Sequence, residues 1–251
     1  MIEYWTKIWS TNKDLFSEAV RSCRENKIDG IEIYIVPGSV KTEDLNIFKK
    51  VKTSVHAPHF LHDFNVFELN SEKVLLFKEQ VMGMADFLAT SEIVVHAGCG
   101  KDPQLFRKGI EQIMDPRLLI ENKPAIALNG SECFGFDLTQ LEFIERECGL
   151  NICLDIGHAI KSAEYQGIDY KEFLTEIISR FSPWYFHICG TDKGNVKDKH
   201  LNLWEDEFDL RWIKKVLTSV AELRKVKVVF EVPKSFGLEN DIKNINFFKS
   251  L

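Results

Sequence analysis

The chain has 251 residues, 45% of them hydrophobic, and a net charge of −6. That size supports a substantial core, while the acidic balance argues against a protein held to nucleic acid by a broadly basic surface. No apolar run is long enough to span a membrane, and the N-terminus, MIEYWTKIWS, has no basic segment leading into an apolar core, so no signal peptide is expected.

Short apolar, β-branched runs alternate with helical patterns along the chain. A strand is predicted at 4–9 and a helix at 12–27, then a strand at 30–36 and a helix at 43–51. The next pairs are 53–57 with 71–90, 93–97 with 102–115, and 118–121 with 139–148. The last three are 152–155 with 169–181, 184–188 with 209–225, and 226–232 with 238–251. The stretch SEKVLLFKEQVMGMADFLAT is the clearest helix, with Val74, Phe77, Val81, Met84 and Leu88 on one stripe. Eight strands alternating with eight helices predict a parallel sheet closed into one α/β domain, a (β/α)8 TIM barrel spanning residues 1–251. The near-continuous apolar strands suit a sheet covered on both faces. The rival is a doubly wound open sheet, but its phosphate-binding fingerprint is missing after the first strand.

Barrels of this kind build their sites at the C-terminal strand ends. Those ends carry His56, His96, Glu121, Asp155 with His158, His187 and Glu231, and the loop after the seventh strand adds Asp198 and His200. Only the first two strands lack a ligand-type ending. Singly, each residue has a plain structural role available: a histidine is more often hydrogen-bonded than ligating, and Asp155 could simply cap a helix. Jointly they gather four carboxylates and five of the chain's seven histidines at one mouth. Burying charges unpaired costs several kcal/mol each, so divalent ions are the expected partner. Mixed imidazole and carboxylate donors fit zinc, manganese or iron rather than calcium. Nine ligands exceed what one tetrahedral ion needs, and bound ions would offset part of the acidic charge. The six cysteines form no C-x-x-C pair and read as reduced thiols of a cytoplasmic protein.

The motifs HAP at 56–58, VVHAG at 94–98, IEN at 120–122, CLDIGHA at 153–159, FHICGTDKG with DKH to residue 200, and FEVP at 230–233 resemble the endonuclease IV family. These are zinc-dependent apurinic/apyrimidinic endonucleases within the xylose-isomerase-like barrel superfamily. The resemblance implies three zinc ions: one on His56, His96 and Glu121; a second sharing Glu121 with Asp155, His187 and Glu231; a third on His158, Asp198 and His200. It implies catalytic roles for Glu121, Asp155 and Glu231, damaged double-stranded DNA as partner, and a monomer. Where the family carries a tyrosine and a leucine that enter DNA, this chain has His59 and Phe60; the loop after the second strand offers Lys41 and no arginine. The Gly-Gln-Gly-Ser type run after the fifth-strand glutamate is reduced to Asn129-Gly130-Ser131.

Two other readings stand beside this one. A one-metal sugar isomerase or epimerase would use Glu121, Asp155, His187 and Glu231 and would not need His56, His96, Asp198 and His200 together. A binding protein could keep the metals without turnover.

Overall fold

A computed structural model describes residues 1–195, 199–235 and 237–251. Eight parallel strands close in sequence order: β1 Ile2–Trp9, β2 Gly30–Tyr34, β3 Thr53–His56, β4 Ile93–His96, β5 Leu118–Glu121, β6 Asn151–Asp155, β7 Tyr185–Ile188 and β8 Val226–Phe230. The predicted (β/α)8 barrel is the observed fold, in one domain. No helix among the described residues is long and apolar enough to cross a membrane.

Each strand sends one set of side chains outward and the other inward. The outward set, including Ile31, Ile33, Val55, Val95 and Ile120, packs with the helices into one large apolar cluster. Inside, Trp5, Val94, Leu119, Cys153, Tyr185 and Val229 fill the barrel as a second cluster. Trp5 is the plug, 1% exposed, and truncating it to alanine would cost about 3–5 kcal/mol. Its ring explains Gly30 directly across the ladder: a Cβ there would meet the indole at 2.4 Å.

The α-helices are α1 Phe16–Arg24, α2 Ser71–Leu76, α3 Gly83–Leu88, α4 Pro103–Gln112, α5 Leu138–Glu142, α6 Ile156–Gln166, α7 Tyr170–Phe181, α8 Leu210–Leu223 and α9 Glu239–Ser250. Side-chain oxygens of Asn70, Asp102, Asp137, Asp155, Asp169 and Asp209 cap α2 and α4 to α8 by accepting first-turn N–H groups. The predicted 71–90 helix is α2 and α3 joined by a π-helical turn, and its stripe is buried at Phe77, Val81, Met84 and Leu88. The predicted helix at 43–51 is instead a 3-10 segment, Thr42–Lys50.

A helix not expected from the sequence, α6, starts at the residue after β6 with no intervening turn. Asp155 ends the strand and caps the helix at once, accepting from the His158 backbone N–H at 2.7 Å. Residues 156–163 of α6 are all buried. With no polar face to show, its first half lacks the amphipathic period by which the other helices announce themselves.

Candidate metal centre

The strand register assembles the mouth in pairs. Lys7 lies opposite Glu32, Tyr34 opposite His56, His96 opposite Glu121, and Asp155 opposite His187. Inward-facing positions near the C-terminal ends thus form a ring directly above the apolar plug. His56, Glu121, Asp155, His158, His187 and Glu231 are all under 9% exposed.

Glu121 is the hub. Its Oε2 lies 2.9 Å from His56 Nε2, 3.2 Å from His96 Nε2 and 3.4 Å from His187 Nδ1. Its Oε1 lies 3.1 Å from His158 Nδ1 and 3.7 Å from Lys123 Nζ. His56 Nδ1 donates to the Ala57 carbonyl at 2.7 Å, a tautomer that leaves Nε2 as a lone pair facing a carboxylate. Two acceptors 2.9 Å apart are favourable only with a proton or a cation between them. His96 Nδ1 is buried with no hydrogen-bond partner among the described residues.

The described ligand atoms fall into three close groups: His56, His96 and Glu121; Glu121, Asp155 and His158; and Glu32, His56, His187 and Glu231. The first is the trio expected from the sequence. In the second, Asp155 sits with His158, to which it is joined by the helix cap. His187 Nδ1 reaches Glu231 at 2.7 Å. His200, at φ 49° and half-exposed, has its ring 6.3 Å from that of His158 and its Nδ1 3.7 Å from Glu231. Asp198 lies outside the described residues.

Sequence reasoning missed three charged residues at this ring: Glu32, Lys7 and Lys123, the last 3.7 Å from Glu121 Oε1. Glu32 of β2, fully buried, accepts from the Tyr185 hydroxyl at 2.8 Å and lies 3.1 Å from His187 Nε2. It backs the imidazole whose other nitrogen faces Glu121 and Glu231, the arrangement that fixes the orientation of a ligating histidine. Lys7 of β1 donates to Glu231 at 2.6 Å and lies 3.5 Å from Glu32. Asn122, read only as part of the IEN motif, ties the ends of β5 and β6. Its Oδ1 accepts from Asp155 N at 2.6 Å, its Nδ2 donates to Asp155 O at 3.0 Å, and its carbonyl lies 2.9 Å from His158 Nδ1.

Burial on its own would raise the Glu121 carboxyl, but the His96 and Lys123 charges and bonds from His158 and His187 hold it well below the usual range. Glu231 is held low the same way, against burial, by Lys7 and His187. Burial drives His96 well below the ordinary imidazole value and lowers His59 to about 2. Burial also disfavours a charged His187, yet Cys153, Glu32 and Glu231 around it raise it well above that value.

A cavity of 400 Å³ opens onto this ring, lined among others by Lys7, Trp9, Tyr34, Lys123 and His200. His59 and Phe60 line it too. His59 stacks on His96 with centroids 4.9 Å apart and planes 7° from parallel. Leu61, next to them at the lip, is 60% exposed. Lys41 is exposed at the head of the 3-10 segment, where its backbone N–H bonds Asp44, and it does not line the cavity.

No protein-family model matches the chain, and no curated protein matches it. Solved structures do. Endonuclease IV from Thermus thermophilus superposes with a TM-score of 0.76 at 19% identity, covering 99% of this chain and 98% of that one. The 3-keto-D-glucoside 4-epimerase from E. coli gives 0.70 at 14%, with 100% of both chains covered. A xylose isomerase domain protein from Alicyclobacillus acidocaldarius gives 0.67 at 12%, covering 100% and 96%. At these identities the likeness is one of fold, and the fold is shared by an endonuclease and an epimerase.

Proposed function

We propose that this chain is a zinc-dependent phosphodiester hydrolase of endonuclease IV type, cleaving double-stranded DNA at abasic sites. The observation that carries the reading is the convergence of His56, His96 and His187 nitrogens on one buried Glu121 oxygen. The facing acceptors of His56 Nε2 and Glu121 Oε2, 2.9 Å apart, fit a cation at this position. His56, His96 and Glu121 would hold one ion, Glu121, Asp155, His187 and Glu231 a second, and His158 and His200 with Asp198 a third. Such ions supply Lewis acidity that activates water and stabilises charge on the phosphate oxygens. The protein's own groups do the rest. Glu121, kept ionised, spans two donor groups. Glu32 and the Ala57 carbonyl orient His187 and His56. Lys7 and Lys123 present two ammonium groups to an anionic substrate in the cavity. His59, Phe60 and Leu61 form an apolar lip suited to holding a flipped-out sugar.

One observation favours the second reading, a sugar isomerase or epimerase. The cavity, 400 Å³ with Trp9 and Tyr34 on its wall, falls in the range of small-molecule sites, and Glu121, Asp155, His187 and Glu231 could serve one metal beneath it. Purified protein, reconstituted with zinc or manganese, separates the two. Near three ions per chain, with chelator-sensitive cleavage of a duplex carrying one abasic site, supports the nuclease. One ion per chain, an intact abasic strand and equilibration of a ketose would overturn it in favour of the isomerase.

A further inference from the structure

Two cysteines stand on the wall of the mouth, outside every ligand group described above. The loop after β4 and the segment after β5 meet there in a short antiparallel bridge between Cys99 and Cys133. Its hydrogen bonds run from Gly100 N to Glu132 O at 3.1 Å and from Phe134 N to Gly98 O at 3.0 Å. Both bonds flank the cysteines, which makes Cys99 and Cys133 a non-hydrogen-bonded pair. Opposed residues of that kind have Cα atoms about 4.5 Å apart and side chains on the same face. A disulfide spans Cα separations of about 4.4–6.8 Å, so the backbone already has the spacing of the oxidised state. The sulfurs face each other at 3.9 Å.

The two thiols are not equivalent. Cys99 is half-buried and lines a 560 Å³ cavity at the rim with Phe60, Asn65, Gly100 and Lys101. Cys133 is 2% exposed behind it. The bond from Cys133 lowers the Cys99 thiol against burial, with Lys123 adding to it, whereas its bond to Cys99 and burial push Cys133 up. One sulfur is reachable and poised as the nucleophile; the other is positioned to resolve it.

We propose that Cys99 and Cys133 form a reversible disulfide site, closed by a peroxide and opened by a thiol reductant. Cys99 thiolate attacks the peroxide, the O–O bond breaks, and hydroxide leaves with a sulfenic acid formed on Cys99. Cys133 sulfur then attacks Cys99 sulfur; the S–O bond breaks, the Cys133 proton goes to the departing oxygen, and water leaves. Two thiols have lost two electrons, and the peroxide has been reduced to water. Two equivalents of reductant thiol reverse the change through a mixed disulfide.

Closure ties more than two loops. The Cys99 backbone is clamped by Asn65 of the loop after β3, which accepts from Cys99 N at 3.1 Å and donates to Cys99 O at 2.8 Å. The bridge therefore locks together the loops that follow His56, His96 and Glu121. It also closes a covalent loop between residues 34 apart, which restricts the unfolded chain.

The test uses the full chain, reduced and then treated with a small excess of hydrogen peroxide before alkylation and peptide mass analysis. The expected product is a peptide pair joined at Cys99 and Cys133, lighter by two hydrogens, which dithiothreitol restores to two alkylatable thiols. The oxidised protein should melt several degrees higher than the reduced one, and Cys99→Ser should abolish that rise. Because Cys133 is buried, Cys133→Ser is read by circular dichroism for folding and by dimedone for a persistent sulfenic acid on Cys99. Should both thiols stay alkylatable after peroxide, or should Cys99 pair elsewhere or pass to the sulfinic acid, the proposal fails. None of these readouts depends on the reaction catalysed, so the nuclease reading and this one fail separately.

Discussion

At the N-terminal end of the barrel, Glu3 meets Lys225 at 2.8 Å and also Lys52, and Glu92 meets Lys227 at 2.6 Å. At the C-terminal end, Glu32, Glu121, Asp155 and Glu231 meet imidazoles on nearly every side, with Lys7 and Lys123 as the lysines among them. Both ends bury acids, but with different partners. Two acids below face three lysines, two of which keep their heads more than half exposed, so that charge is closed by the protein and by water. Four acids above face two buried lysines and imidazoles that are neutral donors unless protonated. The lower end is a structural set of ion pairs. The upper end is a set of clustered imidazole and carboxylate atoms that, on the proposed function, a divalent ion would complete. The two ends should therefore respond to mutation in opposite ways.

The largest expected effect is at Glu121. Glu121→Gln keeps the side chain's shape and removes the charge shared by His56, His96 and His158. Removing one stabiliser of transition-state charge commonly costs roughly 10²–10³ in rate, and a bridging carboxylate should cost about 10³ or more. The far-ultraviolet circular dichroism spectrum should be unchanged. Cleavage of the abasic duplex at close to the wild-type rate would remove Glu121 from the centre of the site.

A smaller loss is expected at Glu32, which faces no substrate and acts through His187. In Glu32→Gln the amide oxygen still accepts from Nε2, but the charge that supports the imidazole is gone. Metal affinity should fall by roughly 10-fold, at the lower end of what such outer partners contribute. Competition against a colorimetric chelator measures it, and unchanged affinity would leave Glu32 with its Tyr185 bond and its Lys7 ion pair as structural contacts.

Why Glu32 escaped sequence reading while His56, His96, Glu121, Asp155, His187 and Glu231 did not is a matter of position. Those six close their strands or lie immediately beside the closing residue, where the barrel rule looks for them. Glu32 and Lys7 lie inside strands, two residues short of Tyr34 and Trp9, in runs that otherwise read as apolar. The alternation was there to use: inward parity places Lys7 with Trp5, and Glu32 with Gly30 and Tyr34. A charged residue at inward parity in a parallel strand is the signal. The barrel was legible because eight apolar runs recur between helices; α6 was not, because its cap is also a strand end.

The same ring sets a pH dependence in protein stripped of metal. Against burial, His187 is raised above the ordinary 6.5 by Cys153, Glu32 and Glu231 around it. A histidine raised on folding contributes stability that is complete below the unfolded value and lost as pH climbs through the folded one. Metal-free wild type should therefore lose stability relative to His187→Asn across a window that opens at the ordinary 6.5 and runs upward. Urea midpoints taken across that window measure it. Metal loading runs the other way, since the proton must leave before the nitrogen can ligate, so affinity should rise with pH. Midpoints of wild type and variant that stay parallel would mean that His187 is neutral before metal arrives.

The smallest effect is expected at the opposite end, and its smallness is the point. Lys52 is 55% exposed and pairs with a Glu3 that is 3% exposed. Replacing Lys52 by Met removes one of two ammonium partners. Glu3 keeps Lys225 at 2.8 Å, and the Trp5 indole N–H still donates to it at 3.3 Å. An exposed lysine in a surface pair contributes about 0–1 kcal/mol, and here a second cation remains in place. Lys52→Met should thus shift the urea midpoint barely beyond error. It should leave metal content and turnover at wild-type values, because Trp5 and the apolar layer separate the two ends. If Lys52→Met instead lowered metal content, the charges at the two ends would be coupled through the plug. The division between a structural end and a ligating end would then have to be abandoned.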